Sequence, residues 1–349
     1  MNRRHSVVLI AVALVLAVAG PITLIALRSP SSQIRQRILG LFSGPGGERS
    51  SGFCTLVDEA GSALLRTGIL VRRGDVFIDP AGQSHRVTRV SGERALTVLA
   101  PEVGSRAPQP REPGSDQLGP VAAAADPAIS LGGAPSPSPQ AIPLGTARQV
   151  IVLYHTHSDE SYIPDDGTAS IYGDGGVYRV GDAMATALIT AGFTVVHDRA
   201  AHDPHDGGAY PRSRRTLLQN LQYGPTLIFD VHRDSAPASE YLTTIDGTET
   251  ARILIVIGGA NPLYRGNLGV ANRMKTTADS LYPGLTRGIL VAGGNFNQDL
   301  TAAGILLEVG TESISRASAE RAASLWADVT AAYLGPPGPG PPISANNSH

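Results

Sequence analysis

The sequence has few of the residues that define several common protein classes. It contains one cysteine, Cys54, in 349 residues, so no disulfide can form within the chain. Its formal net charge of -2 gives no overall basic field, which argues against nucleic acid as a partner. No H-E-x-x-H sequence occurs, and this excludes one large class of zinc peptidases. The length still leaves room for a sizeable core and accessory segments.

Glycine and proline, by contrast, are abundant and divide the chain into regions. The 40 glycines and 26 prolines exceed what one compact domain usually carries. We predict an N-terminal membrane anchor (1–28), a small β-rich domain (52–101), a Pro/Ala/Ser-rich linker (102–145), a large α/β domain (146–334) and a disordered tail (335–349).

The predicted anchor is an uncharged apolar run from Val7 to Leu27 that follows two arginines. The run is long enough to cross a bilayer as a helix, and a short basic head before such a run is typical of an export signal. The alternative is a cleaved signal peptide, because Ala17-Val18-Ala19 fits a small-residue cleavage site. We predict a retained anchor, and therefore a single-pass protein of the cell membrane whose other domains lie outside the cytoplasm.

Between the linker and the tail, short apolar strands alternate with amphipathic helices. The predicted helices cover about 179–189, 213–221, 268–281 and 315–334. This alternation indicates an α/β fold with a mostly parallel sheet and helices on both faces. Functional sites in such folds lie at the carboxyl ends of the strands.

His155 and His157 directly follow the apolar strand 149–153. Side chains two residues apart on an extended backbone point to the same face, so both imidazoles could share one side with Glu160. Neutral imidazole and carboxylate are ligands that suit Zn²⁺ in a hydrolytic site. The alternative is a solvated strand end whose histidines hydrogen-bond to nearby backbone.

Two further polar groups interrupt or follow apolar strands. His232 stands between Asp230 and Asp234, and either carboxylate could fix its tautomer if it bound a metal. A surface salt-bridge cluster is the alternative for this group. Glu308 interrupts an apolar run, so it either turns to solvent or is held for a purpose, since burying an unpaired charge is costly. Beside Zn²⁺ it could move a proton from water to a leaving amine.

The number of candidate ligands exceeds the number that a hydrolytic zinc site needs. Such a site keeps three protein ligands and one open position, so one of the four candidates has another role. We favour His155, Glu160 and His232 as ligands. His157 then orients substrate or stabilises the developing oxyanion, and exchange of the two histidines is almost as plausible.

Taken in order, the motifs resemble the stage II sporulation protein P family. The shared segments are Tyr154-His155-Thr156-His157-Ser158-Asp159-Glu160-Ser161-Tyr162, Val180-Gly181-Asp182, Asp230-Val231-His232-Arg233-Asp234, Tyr282-Pro283-Gly284-Leu285, Asn297-Gln298-Asp299-Leu300 and Leu307-Glu308-Val309-Gly310. The resemblance implies an exported, membrane-anchored, zinc-dependent peptidoglycan hydrolase with an N-acetylmuramoyl-L-alanine amidase-like fold. It also implies cleavage of the amide between N-acetylmuramic acid and L-alanine, an endopeptidase activity on stem-peptide cross-links, and action in forespore engulfment alongside stage II sporulation proteins D and M.

The resemblance also implies roles for single residues. Glu308 is expected to act as general base and then acid, and Arg233 to stabilise charge or bind a stem-peptide carboxylate. Related amidases draw their ligand glutamate from the first helix after the strand, where this chain has none, so Glu160 becomes the candidate. Two rival functions are a non-catalytic peptidoglycan-binding module and a zinc peptidase acting on proteins. The full set of candidate ligands argues against the binding module.

Overall fold

The computed structural model describes residues 47–49, 52–101 and 149–335. Its strands are β1 (Cys54–Val57), β2 (Ala63–Thr67), β3 (Val76–Ile78), β4 (Ser84–Ser91), β5 (Arg94–Ala100), β6 (Val150–Tyr154), β7 (Thr194–His197), β8 (Leu227–Asp234), β9 (Leu242–Ile245), β10 (Thr248–Ala251), β11 (Ile253–Gly258), β12 (Thr286–Ala292) and β13 (Gly304–Thr311). Within these residues, eleven strands form one sheet, and β9 and β10 form a separate hairpin.

The α-helices are α1 (Ile163–Asp166), α2 (Val177–Thr190), α3 (Ala209–Asn220), α4 (Ala238–Tyr241), α5 (Tyr264–Leu281) and α6 (Arg316–Leu334). The four long helices are those that the apolar periodicity predicts. The sequence also explains the ends of α6: the Ser315 side chain accepts a hydrogen bond from the Ser318 amide at the start, and Gly335 follows the end with a φ of 77°.

The strand order of the sheet is β2-β1-β5-β4-β3-β12-β11-β13-β8-β6-β7. Strands β13, β8, β6 and β7 are parallel, and so are β11 and β12, but β11 and β13 are antiparallel. The prediction of a mostly parallel sheet is therefore corrected to a mixed α/β sheet. Parallel neighbours usually need a crossover helix, and the connection 293–303, all of it described, contains only a 3-10 turn at Gln298–Leu300.

The two faces of the sheet are covered differently. Helices α2, α5 and α6 cover one face, where Trp326 is fully buried. On the other face, α3 covers the β6–β8 end through Leu217. Strands β1–β5 cover the rest, because Leu56 lies in one core cluster with Leu254 and Leu306 of the central strands. The expectation of helices on both faces thus holds for only part of the second face.

The predicted β-rich segment contains the five strands β1–β5 and is joined to the rest of the sheet. Strand β3 pairs with β12, so that Ile78 is the register partner of Ile289. Backbone hydrogen bonds therefore cross the boundary that we predict between two domains, and the division into domains stays a prediction. The predicted linker, 102–145, and residues 336–349 of the predicted tail lie outside the described residues.

The predicted location in the cell membrane is corrected by the structure. Across the described part of the chain, none of the helices combines the length and the apolar character that crossing a bilayer requires. The predicted anchor, residues 1–28, lies outside the described residues.

Candidate metal and catalytic site

The candidate site forms where β6, β8 and β13 lie side by side. Glu308 of β13 is the register partner of His232 of β8, and β6 ends at Tyr154, immediately before the two histidines. His157, Glu160, His232 and Glu308 are at most 3% exposed. Parallel strand ends meet at one edge of a sheet, and the structure brings these polar groups together there as that rule predicts.

The distances between the candidate ligand atoms match those around a metal ion. His232 Nδ1 lies 3.6 Å from Glu160 Oε2 and 3.3 Å from an oxygen of a residue outside the predicted set, Glu48 Oε1. His157 Nε2 lies 3.6 Å from the same Glu48 oxygen. Two ligand atoms each about 2.0 Å from a tetrahedral zinc are about 3.3 Å apart. These contacts are longer than ordinary hydrogen bonds and close to the edges of such a tetrahedron.

Several of these buried atoms lack a hydrogen-bond partner among the described residues. They are both ring nitrogens of His157, both ring nitrogens of His232, Oε1 of Glu160 and both carboxylate oxygens of Glu308. The other oxygen of Glu160 accepts a hydrogen bond of 2.9 Å from the Arg233 amide. Leaving a buried polar atom unpaired costs about 1–3 kcal/mol, so a cluster of them indicates a site that binds a ligand. The donor set, imidazole and carboxylate, fits Zn²⁺.

His232 is oriented by a buried carboxylate. Its Nε2 lies 2.9 Å from Asp230 Oδ1. Asp230 in turn accepts hydrogen bonds of 2.8 Å from the Thr156 amide and 2.6 Å from the Thr156 hydroxyl. A carboxylate this close to Nε2 favours the proton on that nitrogen and leaves Nδ1 to bind an ion. The sequence left Asp230 and Asp234 as candidate acceptors for His232. The structure places Asp230 beside the imidazole.

The charges around the site favour a bound cation. Burial lowers the pKa of His157 to about 3, so this imidazole is neutral, as a metal ligand must be. Burial also disfavours protonation of His232, but the carboxylates of Asp230, Glu48 and Glu160 outweigh it and raise the His232 pKa well above its usual value. An excess of buried negative charge around one imidazole is the environment that a divalent cation stabilises.

Burial and neighbouring acids both raise the pKa of Glu308. Desolvation first, and then the carboxylates of Glu48 and Asp234, raise the pKa of Glu308 well above its usual value. A carboxyl group with a raised pKa holds a proton near neutral pH more readily than an exposed one. This is the property expected of a general base that later acts as an acid.

The structure places His155 beside this cluster, with both ring nitrogens already engaged. Its Nδ1 donates to the Val231 carbonyl at 2.8 Å, and its Nε2 lies 2.8 Å from His197 Nε2, whose Nδ1 in turn lies 3.0 Å from Asp182 Oδ1. The rings meet under helix α2, where a Cβ on Gly181 would come within 2.5 Å of His197 Nε2 and 2.8 Å of His155 Nε2. Glycine at this position permits the close approach, which gives a physical reason for the Val180-Gly181-Asp182 motif.

Arg233 lies at the site, but its guanidinium contacts backbone. It is 9% exposed, and it donates to the Ser161 carbonyl at 3.4 Å and to the Ala169 carbonyl at 2.9 Å. Its amide also holds Glu160. These contacts tie the loop that carries Glu160 to strand β8.

His205 and Glu48 contact the site and were absent from the predicted set. His205 stacks on His157 with ring centroids 3.8 Å apart and pairs with Asp159 at 3.2 Å. It follows the parallel strand β7, and residues after such strands lie at the edge of the sheet where sites form, so the sequence could have indicated His205. Glu48 precedes the β strands by sequence and comes from a segment without a recognisable pattern. Nothing in the sequence pointed to it.

The sequence model of the stage II sporulation protein P family matches residues 109–331. The chain belongs to this family. A curated family protein, stage II sporulation protein P of Bacillus subtilis (strain 168), is 31% identical over 205 residues, which cover 52% of this chain and 50% of that protein. The chain therefore spans about half the length of this relative.

Solved structures similar to this family member include N-acetylmuramoyl-L-alanine amidases. Ami1 from Mycobacterium smegmatis is 13% identical, with a TM-score of 0.37, over 54% of this chain and 98% of Ami1. The CwlD amidase from Clostridioides difficile, solved in complex with the GerS lipoprotein, is 11% identical, with a TM-score of 0.37, over 53% of this chain and 98% of CwlD.

Proposed function

We propose that this protein is a zinc-dependent peptidoglycan hydrolase that cleaves the amide between N-acetylmuramic acid and L-alanine and acts in sporulation. The observation that carries the proposal is the set of buried, unpartnered atoms of His157, His232 and Glu160, counted among the described residues. His232 Nδ1 and His157 Nε2 lie 3.3 Å and 3.6 Å from Glu48 Oε1, and His232 Nδ1 lies 3.6 Å from Glu160 Oε2, distances that suit one ion. Membership of the sporulation family supports the cell wall as the substrate.

His157, Glu160 and His232 are the three ligands in this proposal. His157 replaces His155, the exchange that the sequence left open, because the free nitrogens of His157 face the cluster and those of His155 contact Val231 and His197. When bound, a zinc ion supplies Lewis-acid polarisation of the scissile carbonyl and lowers the pKa of water. His155 then stabilises the strand end from which the ligands project.

Glu308 is the proton carrier in this proposal. It lies next to His232 in the strand register, and its raised pKa favours taking a proton from the attacking water. The same carboxyl group then returns that proton to the nitrogen of the leaving L-alanine. Burial keeps bulk water away from Glu308, so the proton goes to the leaving group rather than to solvent.

Arg233 and Asp230 hold this arrangement. Asp230 fixes the tautomer of His232. The Arg233 amide binds one oxygen of Glu160 and leaves the other free, and its guanidinium holds the loop at Ser161 and Ala169. Arg233 is thus a positioning residue, and stabilisation of charge on the substrate stays a prediction for it.

The test is to incubate the full-length chain with purified peptidoglycan, with and without a chelator, and to identify the products by mass spectrometry. We expect free stem peptides whose release is lost on chelation and restored by Zn²⁺. Shortened cross-links without freed glycan would replace the amidase assignment with endopeptidase. A folded protein that sediments with the wall and releases nothing in any metal would contradict the proposal and favour a binding module.

Hydrolysis of an unrelated protein substrate at a comparable rate would favour a general zinc peptidase. The partners that the family resemblance implies, stage II sporulation proteins D and M, stay predictions. Co-purification of either protein with the full-length chain from sporulating cells is the measurement that addresses them.

A further inference from the structure

Glu48 reaches the candidate metal site from outside the part of the chain that the family model matches. That match covers residues 109–331, whereas Glu48 belongs to the short segment 47–49. Its side chain is 8% exposed, and Oε1 lies 3.3 Å from His232 Nδ1 and 3.6 Å from His157 Nε2. Glu48, His157 and His232 can present one ligand atom each within 4.8 Å of one another. The carboxylate therefore occupies the position of a further ligand.

Among the described residues, few contacts apart from those to the two histidines hold this segment in place. The Arg49 amide donates to the Gly68 carbonyl at 2.7 Å, and the Leu70 amide donates to the Gly47 carbonyl at 3.0 Å. The Tyr210 hydroxyl donates to Glu48 Oε1 at 3.1 Å. The backbone contacts form an isolated bridge just after β2, separate from the strands of the main sheet. The segment can therefore leave while the sheet stays intact.

We propose that Glu48 is a fourth protein ligand of the metal and that segment 47–49 is a built-in inhibitor of the site. The proposal rests on the proposed function, since it assumes the ligands His157, Glu160 and His232. A hydrolytic zinc site keeps one position open for water, whereas a site with four protein ligands is closed. Glu48 fills that fourth position, and hydrolysis requires it to withdraw.

This arrangement makes the enzyme latent. The active form is the fraction of molecules in which segment 47–49 has left, and any ligand that displaces the segment raises that fraction. A glycan strand that enters the site competes directly with the Glu48 carboxylate. Activity on the wall is thus coupled to loss of a metal ligand supplied by the chain itself.

The test compares Glu48→Gln with the wild type as full-length proteins. We expect Glu48→Gln to raise the zinc dissociation constant by about ten-fold or more, because a charged ligand is lost. The visible absorption spectrum of the Co²⁺ form should change, because one ligand is replaced by water. Release of stem peptides at saturating zinc should rise by about ten-fold, because the fourth position stays open.

Two further variants make the result interpretable. Glu59→Gln makes the same chemical change at an exposed position of the β1–β5 region and should leave all three measurements at wild-type values. Tyr210→Phe removes the hydroxyl that donates to Glu48 and keeps every ligand, so it should shift the measurements in the same direction by less. It also provides a test if Glu48→Gln does not fold.

An unchanged zinc affinity and Co²⁺ spectrum in Glu48→Gln would overturn the assignment of Glu48 as a ligand and leave the proposed function standing. Weaker zinc binding together with slower hydrolysis at saturating zinc would overturn the inhibitory role. A wild-type protein that binds no zinc would overturn the proposed function itself. The three failures are therefore distinguishable.

Discussion

Two buried acids on adjacent strands have opposite surroundings. Asp234 ends strand β8, and its carboxylate accepts hydrogen bonds from the Gly68 amide at 2.6 Å, the Tyr241 hydroxyl at 2.7 Å and the Ser235 amide at 2.8 Å. Glu308 lies on β13, and neither of its oxygens has a hydrogen-bond partner in the described part of the chain. Both side chains are at most 2% exposed.

The difference separates a structural region from a functional one. Asp234 accepts hydrogen bonds from Gly68, just after β2, and from Tyr241 and Ser235, which follow β8. These bonds compensate its burial and join the β1–β5 region to β8. Glu308 carries the cost of burial without compensation, which is the arrangement expected of a group that acts on a substrate. The comparison predicts which substitutions change stability and which change activity.

The largest effect is expected at Glu308. Glu308→Gln keeps the shape of the side chain and removes its ability to take a proton, so the rate of peptidoglycan hydrolysis should fall by about 10²–10⁴-fold. Bound zinc, measured by metal analysis, should stay at the wild-type level. The free energy of unfolding should stay the same or rise, because a poorly compensated buried acid is removed. Loss of zinc together with activity would contradict this division.

Asp234 should show the reverse pattern. Asp234→Asn removes the buried charge that faces Arg287 and places an amide NH₂ against the Tyr241 hydroxyl, so the free energy of unfolding should fall by about 2–4 kcal/mol in urea denaturation. The control is Asp246→Asn, at an exposed position with a φ of 50°, where asparagine is well tolerated. A loss of stability no larger than that of the control would remove the basis of the comparison.

A smaller effect is expected at Asp230, which is hydrogen-bonded like Asp234 but lies at the candidate site like Glu308. Asp230→Asn keeps an acceptor for the Thr156 amide but removes the charge beside His232 Nε2. The zinc dissociation constant should rise by about 10–100-fold, as for other outer-shell partners of metal-bound histidine. Competition with a chromogenic chelator measures it. An unchanged constant would show that His232 is oriented without Asp230.

The smallest effect concerns an acid in the β1–β5 region. Burial raises the pKa of Asp75 from 3.8 to about 6, although its carboxylate accepts a hydrogen bond of 2.7 Å from the Arg72 amide. The folded state holds this proton more tightly than the unfolded state. Its stabilising contribution is therefore fully present below about pH 4 and is lost as the pH rises through about 6.

The measurement is urea denaturation at pH 4 and pH 7 for the wild type and Asp75→Asn. Raising the pH should lower the free energy of unfolding of the wild type by about 1–2 kcal/mol more than that of the variant, after allowance for solvent screening. The difference between the two proteins isolates Asp75 from the other titrating groups. An equal pH dependence would show that Asp75 ionises as easily when folded as when unfolded.

Local patterns in the sequence were sufficient for much of the fold. Apolar periodicity located the long helices, and the rule for strand ends predicted that His232 and Glu308 lie close together. The direction of β13 was not predictable in this way, because the pattern of a buried strand is the same whichever way it runs. The mixed sheet follows from the helix-free connection before β13, a feature of topology rather than of residue type.

The preference for His155 over His157 as a ligand stays a prediction, and the proposed exchange of the two has a local reason. The rule that side chains two residues apart share a face holds on an extended backbone, but β6 ends at Tyr154 and the chain turns between the two histidines. The contact of Glu48 with His232 joins residues 184 positions apart in the chain. Contacts over such a separation depend on tertiary packing, which a single sequence does not specify.

The pairing of β3 with β12 has a practical consequence for shortened proteins. A chain that began at residue 149 would lose the cover over Leu254, Leu290 and Leu306, which share a core cluster with β1–β5. It would also turn β12 into an edge strand with unpaired backbone groups at residues 289–291. Exposed apolar surface beside an open strand edge promotes association between chains. The β1–β5 region is therefore expected to keep the protein soluble as well as folded, and fragments without it are expected to aggregate.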